Sequence, residues 1–237
     1  MASPGHFRTE AQTRVAYGST LVFLMVSVAV LITFGGSQPW QSLAGGLQGL
    51  ALLATLQVSG VQRLPLARLG ALALVCSLLA AEHTSGRHPL LALAVPVTWV
   101  MVVLATIGAI LRHLASLARV DMQTVLGLLS IYVLLGLAFA WSFITVDELG
   151  IPFFANRDVD PGSFVYFSYV NLATVGFGDL TPGPGLPRAV SVLEAILGQL
   201  YLVSVVALAV SRLGQPHPHL GVAGTRASRH DPPSSGD

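Results

Sequence analysis

Six long apolar stretches limit what this chain can fold into. A helix rises about 1.5 Å per residue, so roughly 20 apolar residues cross a hydrocarbon core of about 30 Å. Only 10% of the 237 residues are charged, whereas ordinary soluble domains have roughly 25%. The sequence therefore predicts an all-α membrane protein with six transmembrane helices. They are expected at Val15 to Phe34, Leu43 to Gly60, Leu64 to Ala81, Pro89 to Leu111, Met122 to Val146 and Leu186 to Leu213.

The arginines predict the orientation of these helices, because cytoplasmic loops collect basic residues. With the N-terminus inside, most arginines lie on the cytoplasmic side, and both termini are expected there. The absence of lysine favours a bacterial source, so we expect a multi-pass protein of a bacterial inner membrane. The arginines left outside are Arg87, Arg157 and Arg188.

The polar segments of the chain offer little room for other functions. The net charge of +1 gives no reason to expect a nucleic-acid partner. Leu111, Leu114 and Ala118 share one helical face, and the basic residues around them lie elsewhere, so residues 112–121 suit a short helix in the inner interface. The tail, residues 214–237, is rich in Pro, His, Ser and Gly, so we expect it to be disordered and too short to be a regulatory domain.

One apolar stretch between the fifth and sixth crossings is too short to span the membrane. It runs from Ser163 to Ala173, "SFVYFSYVNLA", and eleven helical residues cover only about 16 Å. Such a helix must enter the membrane and turn back, and the non-helical residues that follow must be buried in protein or line a watery path. Those residues read "TVGFGD", from Thr174 to Asp179.

The "TVGFGD" segment resembles the selectivity-filter signature of the potassium channel family. Glycine at alternate positions permits positive φ angles at low cost, so successive carbonyls can face one axis. Val175 and Phe177 would then pack behind the filter. The resemblance implies potassium binding by Thr174, Val175, Gly176, Phe177 and Gly178, and a homotetramer with four-fold symmetry.

The resemblance is strong over about Met122 to Leu213, and for the first four crossings it rests on helix count alone. It implies residues 1–14 as a cytoplasmic N-terminus, 15–111 as a four-helix transmembrane domain, and 122–213 as the pore domain. The fourth crossing has no arginine or lysine, and voltage sensing requires such charges. The first four helices therefore resemble a voltage-sensor domain without gating charges.

Several residues are expected to support the filter. Tyr166 and Phe167 stand where many family members have tryptophan, and Val170 stands where some have a glutamate, so the partner of Asp179 stays open. Glu194 is an acidic residue well inside the sixth crossing, and such groups need a partner. We expect it to contact Ser168 or Tyr169 and brace the filter; the alternative is a carboxyl solvated by the outer water.

The inner half of the sixth crossing is expected to line the pore. Gly198 lies twenty residues after Gly178, where inner helices of this family often have a hinge glycine; it could equally permit close helix packing. Leu202, Val206 and Val210 repeat every four residues and are expected to line the pore, with a possible register shift of one residue.

The leading interpretation is a channel that conducts potassium passively, without strong voltage gating. A non-selective cation channel is the closest alternative, and a potassium transporter subunit is a further one, although such subunits typically carry several pore loops in one chain. No crossing holds a residue set for hydrolysis, so we do not expect an enzyme. The expected ligands are potassium ions at the filter and membrane lipids, with no cofactor and no soluble regulatory partner.

Overall fold

The structure, a computed structural model, describes residues 5–36, 43–51, 89–115, 122–155 and 159–213. Residues 43–51 are helical, and one isolated bridge joins Phe154 to Pro182. Over these described ranges the chain is all-helical and contains no strand. Its five named helices are α1 (Gly5–Phe34), α2 (Pro89–Ala115), α3 (Met122–Glu148), α4 (Pro161–Leu172) and α5 (Leu186–Leu213).

Four of these helices are long and apolar enough to cross a membrane. The predicted second crossing is helical over 43–51, while its remainder and the whole predicted third crossing lie outside the described residues. A total of six crossings therefore stays a prediction. The four candidate spans are Tyr17–Phe34, Ala92–Ala115, Thr124–Glu148 and Leu186–Leu208.

Two helices are longer than their apolar stretches. α1 begins at Gly5, so most of the predicted N-terminal segment 1–14 is helical; no proline follows Pro4 in this segment to interrupt it. α2 continues to Ala115, so the first four residues of the predicted interfacial helix 112–121 extend a crossing. Residues 116–121 and the tail 214–237 lie outside the described part of the chain.

α3 is the central helix, because it packs against α1, α2, α4 and α5. Leu134 and Leu137 of α3 are buried in one core with Leu24 of α1 and Ile110 of α2. α5 is far less covered: 17% of its apolar window is buried in the single chain, against 61% for α3. Most of the apolar surface of α5 is therefore open to lipid or to another chain.

The start of α4 is fixed by local chemistry and by contact with α1. Asp160 is the N-cap, and its carboxylate accepts a hydrogen bond from the Ser163 amide, while Pro161 takes the first helical position. Gly35, just beyond α1, contacts Gly162 so closely that a Cβ on Gly35 would lie 2.7 Å from the Gly162 backbone. The first helix therefore packs backbone to backbone against the short helix.

Candidate functional site

A cluster of aromatic rings holds the short helix α4 against the C-terminal end of α3. Phe143 of α3 lies 4.3 Å from Phe153 in the connecting loop, measured between ring centroids. Rings from α4 complete the cluster, among them Phe167, one of the residues predicted to support the filter. The buried rings of this aromatic cluster are Phe143, Phe153, Phe154, Phe164 and Phe167, and Val146 packs with them.

The loop before α4 is also tied to the loop that follows residue 178. The Ala155 amide donates to the Thr181 carbonyl at 3.0 Å, and the Gly183 amide donates to the Phe153 carbonyl at 2.7 Å. Two backbone hydrogen bonds therefore attach the far end of the "TVGFGD" segment to the aromatic cluster. The segment is anchored at this end as well as at the end of α4.

α4 ends in a Schellman motif. The Thr174 amide donates to the Asn171 carbonyl at 3.0 Å, and the Val175 amide donates to the Val170 carbonyl at 2.9 Å. This pair of bonds requires a left-handed residue at the position of Thr174, which is usually glycine. Thr174 has φ +56° and is the non-glycine residue with positive φ in the described part of the chain.

The next residues continue with left-handed backbone at every second position. φ is +60° at Gly176 and +78° at Gly178, while Val175 and Phe177 do not have positive φ. The positive φ values that the glycine spacing predicts are therefore present, and Thr174 adds a third that the spacing does not predict. A backbone that alternates in this way can turn successive carbonyls to the same side.

The aromatic side chain of this segment packs against α4. The Phe177 ring stacks on the Tyr166 ring, with centroids 6.4 Å apart and planes at 2°. The Tyr166 hydroxyl donates to Asp179 Oδ2 at 2.9 Å, so Asp179 has the partner that the sequence left open. This hydrogen bond raises the pKa of Tyr166. Val170, by contrast, contributes its carbonyl to the helix end.

Three tyrosine hydroxyls connect α3, α4 and α5 through backbone carbonyls. Two of them join α3 to α4, and the third joins α5 to α3. Their donor and acceptor atoms are Tyr132 Oη to Leu172 O at 3.3 Å, Tyr169 Oη to Val133 O at 2.6 Å and Tyr201 Oη to Leu128 O at 2.5 Å. Two phenols therefore attach the C-terminal part of α4 to α3, and a third attaches α5 to the same helix.

Glu194 is buried between α5 and α4, with 0% of its surface exposed. Ser168 Oγ lies 2.5 Å from one carboxyl oxygen, and Asn171 Nδ2 lies 2.7 Å from the other. The alternative of a carboxyl in outer water is therefore wrong. Tyr169, the other expected partner, donates to α3 instead. Sequence reasoning missed Asn171, although an amide in an apolar helix three residues after Ser168 is a signal for a buried partner.

Gly198 lies against the end of α4. A Cβ at this position would meet Leu172 Cδ1 at 2.5 Å, Leu172 Cγ at 3.1 Å and Leu172 O at 3.2 Å. Gly198 therefore allows α5 to pack closely against α4, as one of its two interpretations expects. A role of Gly198 as a hinge stays a prediction. Of the residues predicted to line a pore, Leu202 is half-buried and Val206 is 59% exposed. Val210 lies beyond the residues of α5 whose side chains are described.

Comparison with known proteins gives one match. A protein-family model described as "Ion channel" matches residues 128–215, which include α4, the "TVGFGD" segment and α5. No curated protein and no solved structure matches the chain. The match supports an ion channel family, and the four apolar helices indicate a membrane protein.

Proposed function

Taking an ion channel as the premise, we propose that the chain forms a potassium-selective channel. Its filter would consist of backbone carbonyls from Thr174 to Gly178 in four copies of the chain. The observation that carries this proposal is the alternation of left-handed backbone at Thr174, Gly176 and Gly178, directly after a short, capped helix. An ordinary glycine-rich turn between two membrane helices would not explain why a short, capped helix precedes it.

Potassium is the ion that this backbone suits. An ion that leaves water needs oxygens in place of its hydration shell, and rings of carbonyls provide them in potassium filters. Five extended residues span about 15 Å, roughly half of the membrane core, so the other half requires a cavity lined by another element. α5 is the candidate lining, with Leu202, Val206 and Val210 toward the inner side.

Four copies are proposed because one strand cannot surround an ion. The exposure of the single chain supports a neighbouring copy at this site: Phe177 is 68% exposed and Val175 is 51% exposed. α5 adds an exposed apolar surface with Val192, Ile196 and Val203. Exposed apolar side chains beside an ion path are more stable when protein covers them than when water does. Closed symmetry is the usual form of an assembly of identical chains.

The proposed channel has no strong voltage gating. The helix α2 corresponds to the predicted fourth crossing, where a voltage sensor would have its charged helix. Its basic residues are Arg112 and His113, both in the last turn. Voltage dependence requires several charges that move through the membrane field, each contributing roughly 2.3 kcal/mol per 100 mV. The proposed location is a bacterial inner membrane, with both termini in the cytoplasm.

Cation flux through the purified protein in liposomes tests this function. Potassium and sodium are compared under matched gradients, with barium as a blocker. We expect potassium flux that sodium does not replace and that barium stops. Empty liposomes and liposomes with a heat-denatured sample serve as controls for leakage.

Two results would contradict the proposal. Equal potassium and sodium flux would favour the alternative, a non-selective cation channel in which Phe177, a ring without a hydroxyl, leaves the filter too loose to select. Flux that requires a second, coupled ion would favour a transporter subunit.

A further inference from the structure

The Ser168 hydroxyl has two oxygen neighbours at hydrogen-bond distance, but it has only one hydrogen to donate. Ser168 Oγ lies 2.7 Å from the Gly136 carbonyl of α3 and 2.5 Å from Glu194 Oε1 of α5. A hydroxyl has one hydrogen to donate and lone pairs to accept. The carbonyl of Gly136 has no hydrogen, so the bond to Gly136 must use the hydrogen of Ser168. The hydrogen between Ser168 and Glu194 must then come from Glu194.

The other carboxyl oxygen of Glu194 is already supplied with a donor. Asn171 Nδ2 lies 2.7 Å from Glu194 Oε2 and 2.7 Å from the Ser191 carbonyl. Its two amide hydrogens fit these two acceptors. Glu194 Oε2 therefore accepts, as the carbonyl oxygen of a carboxylic acid does, and Oε1 is left to carry the acid hydrogen.

The surroundings of Glu194 do not favour an ionised carboxylate. Its hydrogen-bond partners are Ser168 and Asn171, with no basic side chain in contact within the described residues. The nearby phenols of Tyr132 and Tyr169 donate to backbone carbonyls instead. Ser168 and Asn171 also lie in the last turns of α4, the end of a helix with partial negative charge. A charge that is buried without a counter-ion is costly.

We propose that the Glu194 carboxyl keeps its proton in the folded protein and donates a hydrogen bond from Oε1 to Ser168 Oγ, which in turn donates a hydrogen bond to the Gly136 carbonyl. This chain of two hydrogen bonds runs from α5 through α4 to α3 and fixes the short helix between the two long ones. Glu194 is thus a positioning residue, in the form of a neutral acid. The proposal deepens the bracing role suggested for Glu194 in the channel, but its test does not require ion flux.

Infrared spectroscopy tests the proton directly. The spectrum of the wild-type protein in liposomes at neutral pH is compared with that of Glu194→Gln. We expect a carbonyl band of a protonated carboxylic acid, above the amide I band, in the wild type and its loss in the variant. Glu148→Gln is the matched control, because Glu148 is exposed at the end of α3 and its substitution should leave the band in place.

Thermal unfolding provides a second reading. Glu194→Gln should melt close to the wild type, because its amide can donate to Ser168 and accept from Asn171. Glu194→Ala should melt several degrees lower, because it leaves a cavity and removes both bonds. The proposal is overturned if the acid band is absent from the wild type or survives in Glu194→Gln, or if Glu194→Gln is destabilised as strongly as Glu194→Ala. None of these readings depends on which ion is conducted.

Discussion

At the scale of single residues, the backbone of the "TVGFGD" segment decides the candidate function. The alternate glycines were sufficient to predict positive φ at Gly176 and Gly178, because glycine has no Cβ to oppose it and both angles are positive. The left-handed Thr174 was not predictable in the same way, because it depends on how α4 ends. The sequence thus predicts positive φ where the residue itself permits it, as at Gly176 and Gly178. It does not predict positive φ where the end of a helix imposes it, as at Thr174.

Replacing Gly178 by alanine tests the filter at this scale. Gly178 has φ +78°, and no atom of its own chain lies within 4 Å of an added Cβ, so the obstacle that the chain itself presents to alanine is backbone strain. We expect Gly178→Ala to abolish potassium flux in liposomes, because the strained segment relaxes and turns its carbonyls away from the axis. Strain of this kind costs about 1 kcal/mol or more, which leaves the fold intact.

Gly150→Ala is the matched control for that experiment. Gly150 has φ +83° and also no atom within 4 Å of an added Cβ, but it lies in the loop after α3. The same strain outside the filter should leave potassium flux in place. Normal flux in Gly178→Ala would refute the filter assignment, as would an equal loss in both variants.

At the scale of helices, the contact between α5 and the end of α4 joins the candidate filter to the candidate inner lining. Sequence spacing left two interpretations of Gly198 open, because a glycine serves a bend and a close approach equally well. The contact with Leu172 could not be predicted, since it depends on the angle at which two helices meet. The same holds for the three tyrosine hydroxyls that reach carbonyls on other helices.

Gly198→Ala separates the two interpretations by stability. The added Cβ would lie 2.5 Å from Leu172 Cδ1 and 3.2 Å from the Leu172 carbonyl, so the buried Leu172 side chain or the helix itself must shift. Overpacking of this kind costs about 1–3 kcal/mol, and we expect a lower melting temperature in detergent. Gly49→Ala, with no atom within 4 Å of its Cβ, is the control and should not be destabilised. An unchanged melting temperature together with lost flux would instead favour a hinge.

At the scale of the whole molecule, a single chain leaves much of the apolar surface of α5 uncovered. The membrane-spanning character and the helix α5, Leu186–Leu213, were predictable from apolar length alone. The early start of α1 and the continuation of α2 to Ala115 were not, because helices continue beyond their apolar part when no residue interrupts them. A four-fold assembly stays a prediction that rests on the resemblance, since an exposed apolar helix face suits lipid and protein alike.

Mixed assemblies test whether four chains share one ion path. Wild-type and Gly178→Ala chains are expressed together in equal amounts, and potassium flux is measured per assembled protein. If one defective strand blocks the path, about one sixteenth of the wild-type flux should remain for a tetramer. A conducting single chain would retain about one half, and a dimer about one quarter. Either of these larger values would contradict the four-fold assembly.

The left-handed Thr174 has a consequence for how such a chain can evolve. Left-handed backbone costs an ordinary residue about 1–2 kcal/mol, so glycine would make the end of α4 more stable. A lineage selected for stability alone would therefore replace Thr174 by glycine, and in doing so would lose the hydroxyl at the inner end of the proposed filter. Under the proposed function, threonine at this position exchanges stability for a filter hydroxyl, and a design that stabilises the protein should leave it unchanged.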